Sequence, residues 1–258
     1  MSGFSATRTV VGVDGCKAGW IAVFRAGDGD AEMCVFRTFA ELLDTLPADA
    51  AIAVDMPIGL PAFSARGGRG PEALVRPLLG QRQSSVFSIP SRAALYADTA
   101  DFTTLDAWYA AHARVSVVAR ETSDPPRGVS IQAFGIFSKI RELDGLLIAQ
   151  PELRSRVIES HPEVALWRLN GRQAMSLPKK IKGRVNPAGM EERKALLARR
   201  GLSRAFLDQP PLRGAAEDDF LDAAAVMLVA ERFSRGAAIS FPDPPGQDDH
   251  GIPVAIWV

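Results

Sequence analysis

Between Arg8 and Asp55 the chain alternates apolar runs with glycine turns and then adds one helical stretch and a last apolar run. Few folds accommodate that order. Residues 8–14 read as a strand, Gly15-Cys16-Lys17-Ala18-Gly19 as a turn and Trp20-Ile21-Ala22-Val23-Phe24 as a second strand. Gly27-Asp28-Gly29-Asp30 signals another turn, followed by a third strand at Met33-Cys34-Val35-Phe36. Apolar residues from Phe39 to Leu46 recur at helical spacing, and 51–55 reads as the next strand. Three hairpin-connected strands are antiparallel. A crossover helix then lets the fourth strand lie parallel to the first. The expectation is an α/β chain with a mixed sheet, in which Asp14 and Asp55 reach the same sheet edge.

A length of 258 residues, 47% of them hydrophobic, suits one domain over 1–258 with a loop and helical insertion at about 56–155. Helical periodicity appears in that insertion around 104–121 and 131–149. Beyond it, 156–160 reads as a strand, about 187–200 and 215–234 as helices, and Ile252 to Val258 as a short closing strand. Thirty basic residues balance thirty acidic ones, so any nucleic-acid binding must come from a local basic surface. Cys16 and Cys34 give neither zinc spacing nor a disulfide framework, and His112, His161 and His250 are scattered. The N-terminal residues carry Arg8 and no apolar core of a signal peptide, and no stretch approaches the ~18 apolar residues of a membrane span. A cytoplasmic protein without membrane contact is expected.

Asp14 and Asp55 each stand where an apolar run gives way to a turn, and a third acidic cluster follows at Glu217-Asp218-Asp219-Phe220-Leu221-Asp222. An ionised carboxylate beside a buried strand is unfavourable unless something pairs with it. Asp14 capping a tight turn with Gly15 is the plainer account of that residue. Acidic residues in a first helical turn complement the macrodipole, which accounts for Glu217, Asp218 and Asp219. Asp222 lies a turn further in, beside an apolar stripe, and shares a helix face with Asp219 at i, i+3. Carboxylates from two strand ends and a helix suit Mg²⁺ or Mn²⁺, hard ions that take oxygen ligands. Two such ions can activate water and stabilise the leaving oxygen of a phosphodiester.

Glu159 ends a strand and is a candidate further ligand or general base, set against a plain surface charge. His161 precedes Pro162 and reads as a satisfied loop histidine, and Cys16 as packing. For substrate, Arg66, Arg69, Arg76, Arg82 and Arg92 are interleaved with glycine and serine, including Ser84 and Ser85. Such a segment can offer guanidinium and backbone N–H groups to phosphates. Lys179, Lys180, Lys182 and Arg184 form a second basic group, and a solvated loop is the alternative for both. There is no Walker A loop, no dinucleotide fingerprint and no G-x-S-x-G elbow.

Six segments together resemble an uncharacterised bacterial and archaeal family of predicted nucleases with the RNase H-like fold. They are Gly12-Val13-Asp14-Gly15-Cys16-Lys17-Ala18-Gly19-Trp20, Asp55-Met56-Pro57-Ile58-Gly59-Leu60, Ser84-Ser85-Val86-Phe87, Gln132-Ala133-Phe134-Gly135-Ile136, Glu159-Ser160-His161-Pro162-Glu163 and Asp219-Phe220-Leu221-Asp222-Ala223. The resemblance implies an RNase H-like mixed sheet, with Asp14 and Asp55 as the acidic residues of its first and fourth strands. It implies that Asp219 and Asp222 match the paired acids of the final helix in Holliday-junction resolvases. The run Gly67-Gly68-Arg69-Gly70-Pro71-Glu72 departs from the polar, acidic stretch of the family. The leading expectation is a metal-dependent nuclease or phosphodiesterase, with nucleic acid or a phosphorylated nucleotide as partner. A nucleotide-binding phosphoryl-transfer protein of actin-like architecture and a non-catalytic binding module on the same fold are the alternatives. The actin-like reading requires a second β-β-β-α-β copy and a second phosphate loop, of which the sequence has no clear sign.

Overall fold

The computed structural model describes residues 8–100 and 102–258. The first seven residues, on which the expected lack of a leader partly rests, lie outside them. The chain opens with β1 (Thr9–Cys16), β2 (Gly19–Ala26), β3 (Glu32–Phe36), α1 (Phe39–Thr45) and β4 (Ala51–Val54). Then come α2 (Pro71–Val75), a 3-10 segment (Arg76–Ser85), α3 (Arg92–Tyr96), α4 (Leu105–Glu121), α5 (Ile131–Gly135), α6 (Phe137–Ala149) and a second 3-10 turn (Pro151–Ser155). The chain closes with β5 (Val157–Glu159), α7 (Pro162–Leu169), β6 (Lys180–Ile181), β7 (Arg184–Val185), α8 (Pro187–Arg199), α9 (Arg204–Leu207), α10 (Glu217–Ser234), β8 (Ser240–Gln247) and β9 (Pro253–Trp257).

One five-stranded sheet has the order β3-β2-β1-β4-β5. β1 pairs antiparallel with β2 and parallel with β4, and β4 pairs parallel with β5. The α/β class and the mixed sheet follow the sequence reading. The first turn does not: β1 continues past Asp14 to Cys16, opposite Gly19, so the hairpin closes over Lys17 and Ala18. Pairing of β1 with β4, in contrast, stops at Val13 opposite Val54, with Asp55 N–H donating to the Val13 carbonyl at 2.8 Å. Asp14 therefore marks the end of the parallel ladder, not the end of its strand.

Alternation along β1 divides the core. Val11 and Val13 join Trp20, Ile52 and Val54 against α1 and α6, together with residues of α4 and α5, on one face. Val10 and Cys16 point to the other face with Ile21, Val23, Ala53 and Ile158, packed under α10, α7, α8 and α9. The residues between β4 and β5 carry the helices α2 to α6. The helical stretch read at 131–149 is two helices that break at Ile136.

α10 is buried from Phe220 to Ala230 because it is enclosed between the sheet and its neighbouring helices, which is why its apolar residues run around the whole helix. It crosses β1 at Gly12. A Cβ added there would lie 2.0 Å from the Ala223 carbonyl oxygen and 2.2 Å from Met227 N. Only a residue with no side chain lets helix and strand approach this closely.

Candidate metal centre

That approach decides where Asp222 goes. Asp14 shares the α10-facing side of β1 with Gly12, two residues along. Asp55 follows β4 directly, at the same end of the parallel pair. Asp222 precedes Ala223, whose carbonyl faces Gly12. Ligand oxygens of Asp14, Asp55 and Asp222 all lie within 4.8 Å of one another, with Asp14 and Asp222 buried and Asp55 half-buried. Burial first, then the neighbouring Asp55 and Asp222 charges, push the Asp14 carboxyl well above the usual range. Burial and the Asp222 charge push Asp55 up to about 8. Burial also raises Asp222, against the opposing pull of Lys179.

Lys179 supplies the cation nearest this cluster. Its ammonium group pairs with Asp222 and lies 3.8 Å from Asp218, while Lys180 pairs with Asp218 at 2.6 Å. Both lysines, read from the sequence as a phosphate-binding group or a solvated loop, pair here with carboxylates. They stand at the start of a hairpin, β6–β7, in the run read from sequence only as basic and exposed. The donor set of the three aspartates is all hard oxygen, with neither imidazole nor thiolate. It fits Mg²⁺ or Mn²⁺ better than zinc.

Asp219, read as a fourth ligand, is outside the three-carboxylate group. Its Oδ2 accepts a hydrogen bond from Ala216 N–H at 2.9 Å and so closes the first turn of α10. Glu159 is buried with both oxygens engaged. Arg69 donates to them at 2.9 and 2.6 Å, and Ile58 N–H donates to one at 2.7 Å. Arg69 also holds Glu72 at 2.7 Å and the carbonyls of Ile58 and Gly59. The loop that departs from the resembled family's pattern thus folds its arginine inward, onto the end of β5.

Of the other arginines, Arg92 is paired with Asp144 at 2.7 Å and Asp248 at 2.8 Å, which ties α3 to α6 and the C-terminal hairpin. Arg66 is exposed and Arg82 half-buried. His161 accepts from Glu163 N–H on Nδ1 and faces the Ser85 carbonyl with Nε2 at 3.2 Å. Those two partners require the neutral Nε2–H tautomer, and burial lowers its pKa in the same sense. It is the satisfied histidine expected. Cys16 is buried in the α10-side core, as packing requires.

Asp14 and Asp55 open onto a cavity of about 170 Å³ that is also lined by Lys139, Ser85, Phe87, Glu159 and His161. Lys139, which the sequence reading did not single out, donates to the Gly19 carbonyl at 2.6 Å and lies 5.0 Å from the Trp20 ring centre. A larger cavity of about 490 Å³ shares the Val86, Phe87 and Ile89 wall, and Ser84 lines it. No helix is long and apolar enough to cross a membrane among the described residues.

The model of the family described as "Protein of unknown function (DUF429)" matches residues 12–247. No curated protein and no solved structure matches the chain.

Proposed function

The chain belongs to the DUF429 family, a membership that carries no activity with it, and we propose from the site itself a metal-dependent hydrolase of phosphodiester bonds on an RNase H-like fold. One observation carries the reading: three carboxylates from β1, the end of β4 and α10 converge within 4.8 Å. Each is driven toward protonation by burial, so the group is costly without a cation beyond the single ammonium of Lys179. Sheet order β3-β2-β1-β4-β5, three antiparallel strands followed by parallel ones, supports the RNase H-like reading. The one five-stranded sheet, with no second copy among the described residues, disfavours the actin-like alternative.

Asp14, Asp55 and Asp222 would hold Mg²⁺ or Mn²⁺. Such an ion, when bound, polarises a phosphoryl oxygen and lowers the pKa of water. The protein's own part is positional. Two of the ligands are fixed by the β1–β4 ladder and the third by the Gly12 crossing, so they need no rearrangement. The buried walls around Asp14 limit water, which strengthens every charge interaction there. Isothermal titration with Mn²⁺ tests the centre. Wild type binds, and Asp14→Asn and Asp222→Asn bind at least about tenfold more weakly. Mn²⁺-dependent cleavage of labelled single-stranded, duplex and junction nucleic acids, and of cyclic dinucleotides, tests the reaction. Binding that ignores both substitutions removes the metal reading, and cleavage that survives them belongs to a contaminant.

A further inference from the structure

We propose that the cavity of about 490 Å³ beside the carboxylate centre binds a nucleoside monophosphate group, its phosphate held by Arg76 and Arg127. The choice of ligand rests on the phosphodiester reading above. The demand for an anion does not.

Arg76 and Arg127 both line this cavity, and neither has a carboxylate within ion-pair distance among the described residues. Arg69 and Arg92, by contrast, are each paired with two acids. The Arg76 guanidinium donates only to neutral groups: the Val86 carbonyl at 3.0 Å, the Gly67 carbonyl at 2.6 Å and Ser88 Oγ at 2.8 Å. Glu72, the acid that acts most on Arg76, is already taken by Arg69 at 2.7 Å. Burial and the like charge of Arg127 both disfavour the charged form of Arg76. Two cations sharing a pocket with no acid paired to either among the described residues are an unfavourable arrangement that a bound phosphate relieves.

The rest of the lining fits what is attached to such a phosphate. Gln83 and Ser84 are exposed with side chains in no hydrogen bond among the described residues, which leaves donors and acceptors for a sugar or a base edge. Phe87, Ile89 and Pro90 give an apolar and aromatic wall on which a base can stack. The volume falls in the ~300–1,000 Å³ span of small-molecule sites. Val86, Phe87 and Ile89 belong to both cavities, so the pocket adjoins the one onto which Asp14 and Asp55 open. The group is either a free nucleotide or the end of a strand, and the chemistry that recognises it is the same.

Calorimetric titration in EDTA with AMP, GMP, CMP, UMP, adenosine and a 5′-phosphorylated tetranucleotide tests this on the full chain, without any metal. At least one monophosphate binds, and adenosine binds about tenfold or more weakly than AMP if AMP is that ligand. Arg127→Ala weakens the same titration by about tenfold and Arg127→Glu abolishes it. Both variants melt with the wild type, because Arg127 is exposed and its guanidinium makes no hydrogen bond among the described residues. Arg76→Lys, which keeps the charge, retains part of the affinity if Arg76→Ala fails to fold. Tighter binding of the tetranucleotide than of every mononucleotide identifies a strand end as the source. No binding of any phosphorylated probe, or binding indifferent to Arg127, overturns the pocket. Nucleotide binding without Mn²⁺-dependent cleavage leaves the pocket standing and removes the hydrolase reading. Cleavage at wild-type efficiency in Arg127→Ala, together with unchanged nucleotide binding, removes the pocket alone.

Discussion

Replacing Gly12 by alanine adds one methyl group at the point where α10 crosses β1. That methyl would sit 2.0 Å from the Ala223 oxygen, 2.2 Å from Met227 N and 2.6 Å from Met227 Cα. Ordinary contact needs ~3.5 Å, so helix and strand must part by about 1.5 Å. All three obstacles are backbone, and none can swing aside as a side chain would. Overpacking a core costs ~1–3 kcal/mol, and a clash against backbone belongs at the upper end. For a domain of this size, about 3 kcal/mol lowers the melting temperature by roughly 6–12 °C.

The same displacement carries Asp222 away from Asp14, because Asp222 adjoins the clashing residue. A misplacement of ~1 Å can cost ~10²-fold in turnover, and a three-ligand ion site is similarly sensitive. Gly12→Ala is therefore expected to lose stability and at least about tenfold in Mn²⁺ affinity together. Thermal melts and calorimetry measure both. Gly145→Ala on α6 is the control: its added Cβ meets nothing within 4 Å. By helix propensity it should be neutral or stabilising by up to about 1 kcal/mol. A Gly12→Ala protein that melts with the wild type and binds Mn²⁺ as tightly would refute the claim that this crossing builds the site.

Lys179→Met removes the ammonium group that pairs with Asp222, so the metal-free protein should melt lower while Mn²⁺ binds about tenfold more tightly; unchanged affinity would mean that lysine and ion do not compete. Arg69→Met strands Glu159 and Glu72 and should cost ~3–5 kcal/mol, and Glu159→Gln should also lower the melting temperature. If Glu159→Gln instead keeps its stability and loses turnover, Glu159 acts in the chemistry and not as the anchor of Arg69. Asp14 and Asp55 hold their protons more tightly folded than unfolded, with the Asp55 value raised from 3.8 to about 8. Above the unfolded value the folded state binds the extra protons, so metal-free stability should fall as pH rises through that window and level off above it. Melts in EDTA across that range should show the fall, and saturating Mn²⁺ should remove it; a flat profile in EDTA would contradict the assigned shifts.

The strand order was legible because it is written in local signals. Apolar runs, glycine turns and one helical period fix three antiparallel strands and a parallel fourth, and the aspartates that follow Val13 and Val54 come with them. Asp222 was legible for a different reason: it is a charge set beside an apolar stripe, too far into its helix for the macrodipole to account for it. What the sequence hid depends on partners distant along the chain. Nothing local to Arg92 says that it will be turned inward by acids from α6 and from Asp248 near the C-terminus, and Arg69, with Glu72 three residues on, gives no local sign of its second acid, Glu159. Lys179 and Lys180 look like a solvated basic run until α10 brings Asp218 and Asp222 beneath them. β8 carries three prolines, which argue against a strand from sequence; it forms in a separate two-stranded sheet where only β9 needs its hydrogen bonds. Arg127 carries no signal at all, because an exposed arginine after two prolines is ordinary.

The two signs of charge at the centre are held in unequal ways. The three carboxylates stand on elements whose positions are fixed by the core: a central strand, the residue that continues its parallel neighbour, and a helix enclosed on all sides. The countercharge stands on a four-carbon stem at the rim of a short exposed hairpin, and the side chain of Lys179 is about one-third exposed. Its backbone is tied down, since Asn186 N–H donates to the Lys179 carbonyl at 2.9 Å, while its ammonium group is held by the carboxylates of Asp222 and Asp218. On the proposed metal reading, a divalent ion would take the place of that ammonium by a swing of the lysine side chain. That swing asks no movement of β1, β4 or α10. On the same reading, carboxylates fixed by the core and a countercharge on a flexible stem would let the chain fold without the ion and still present the ligands ready-made.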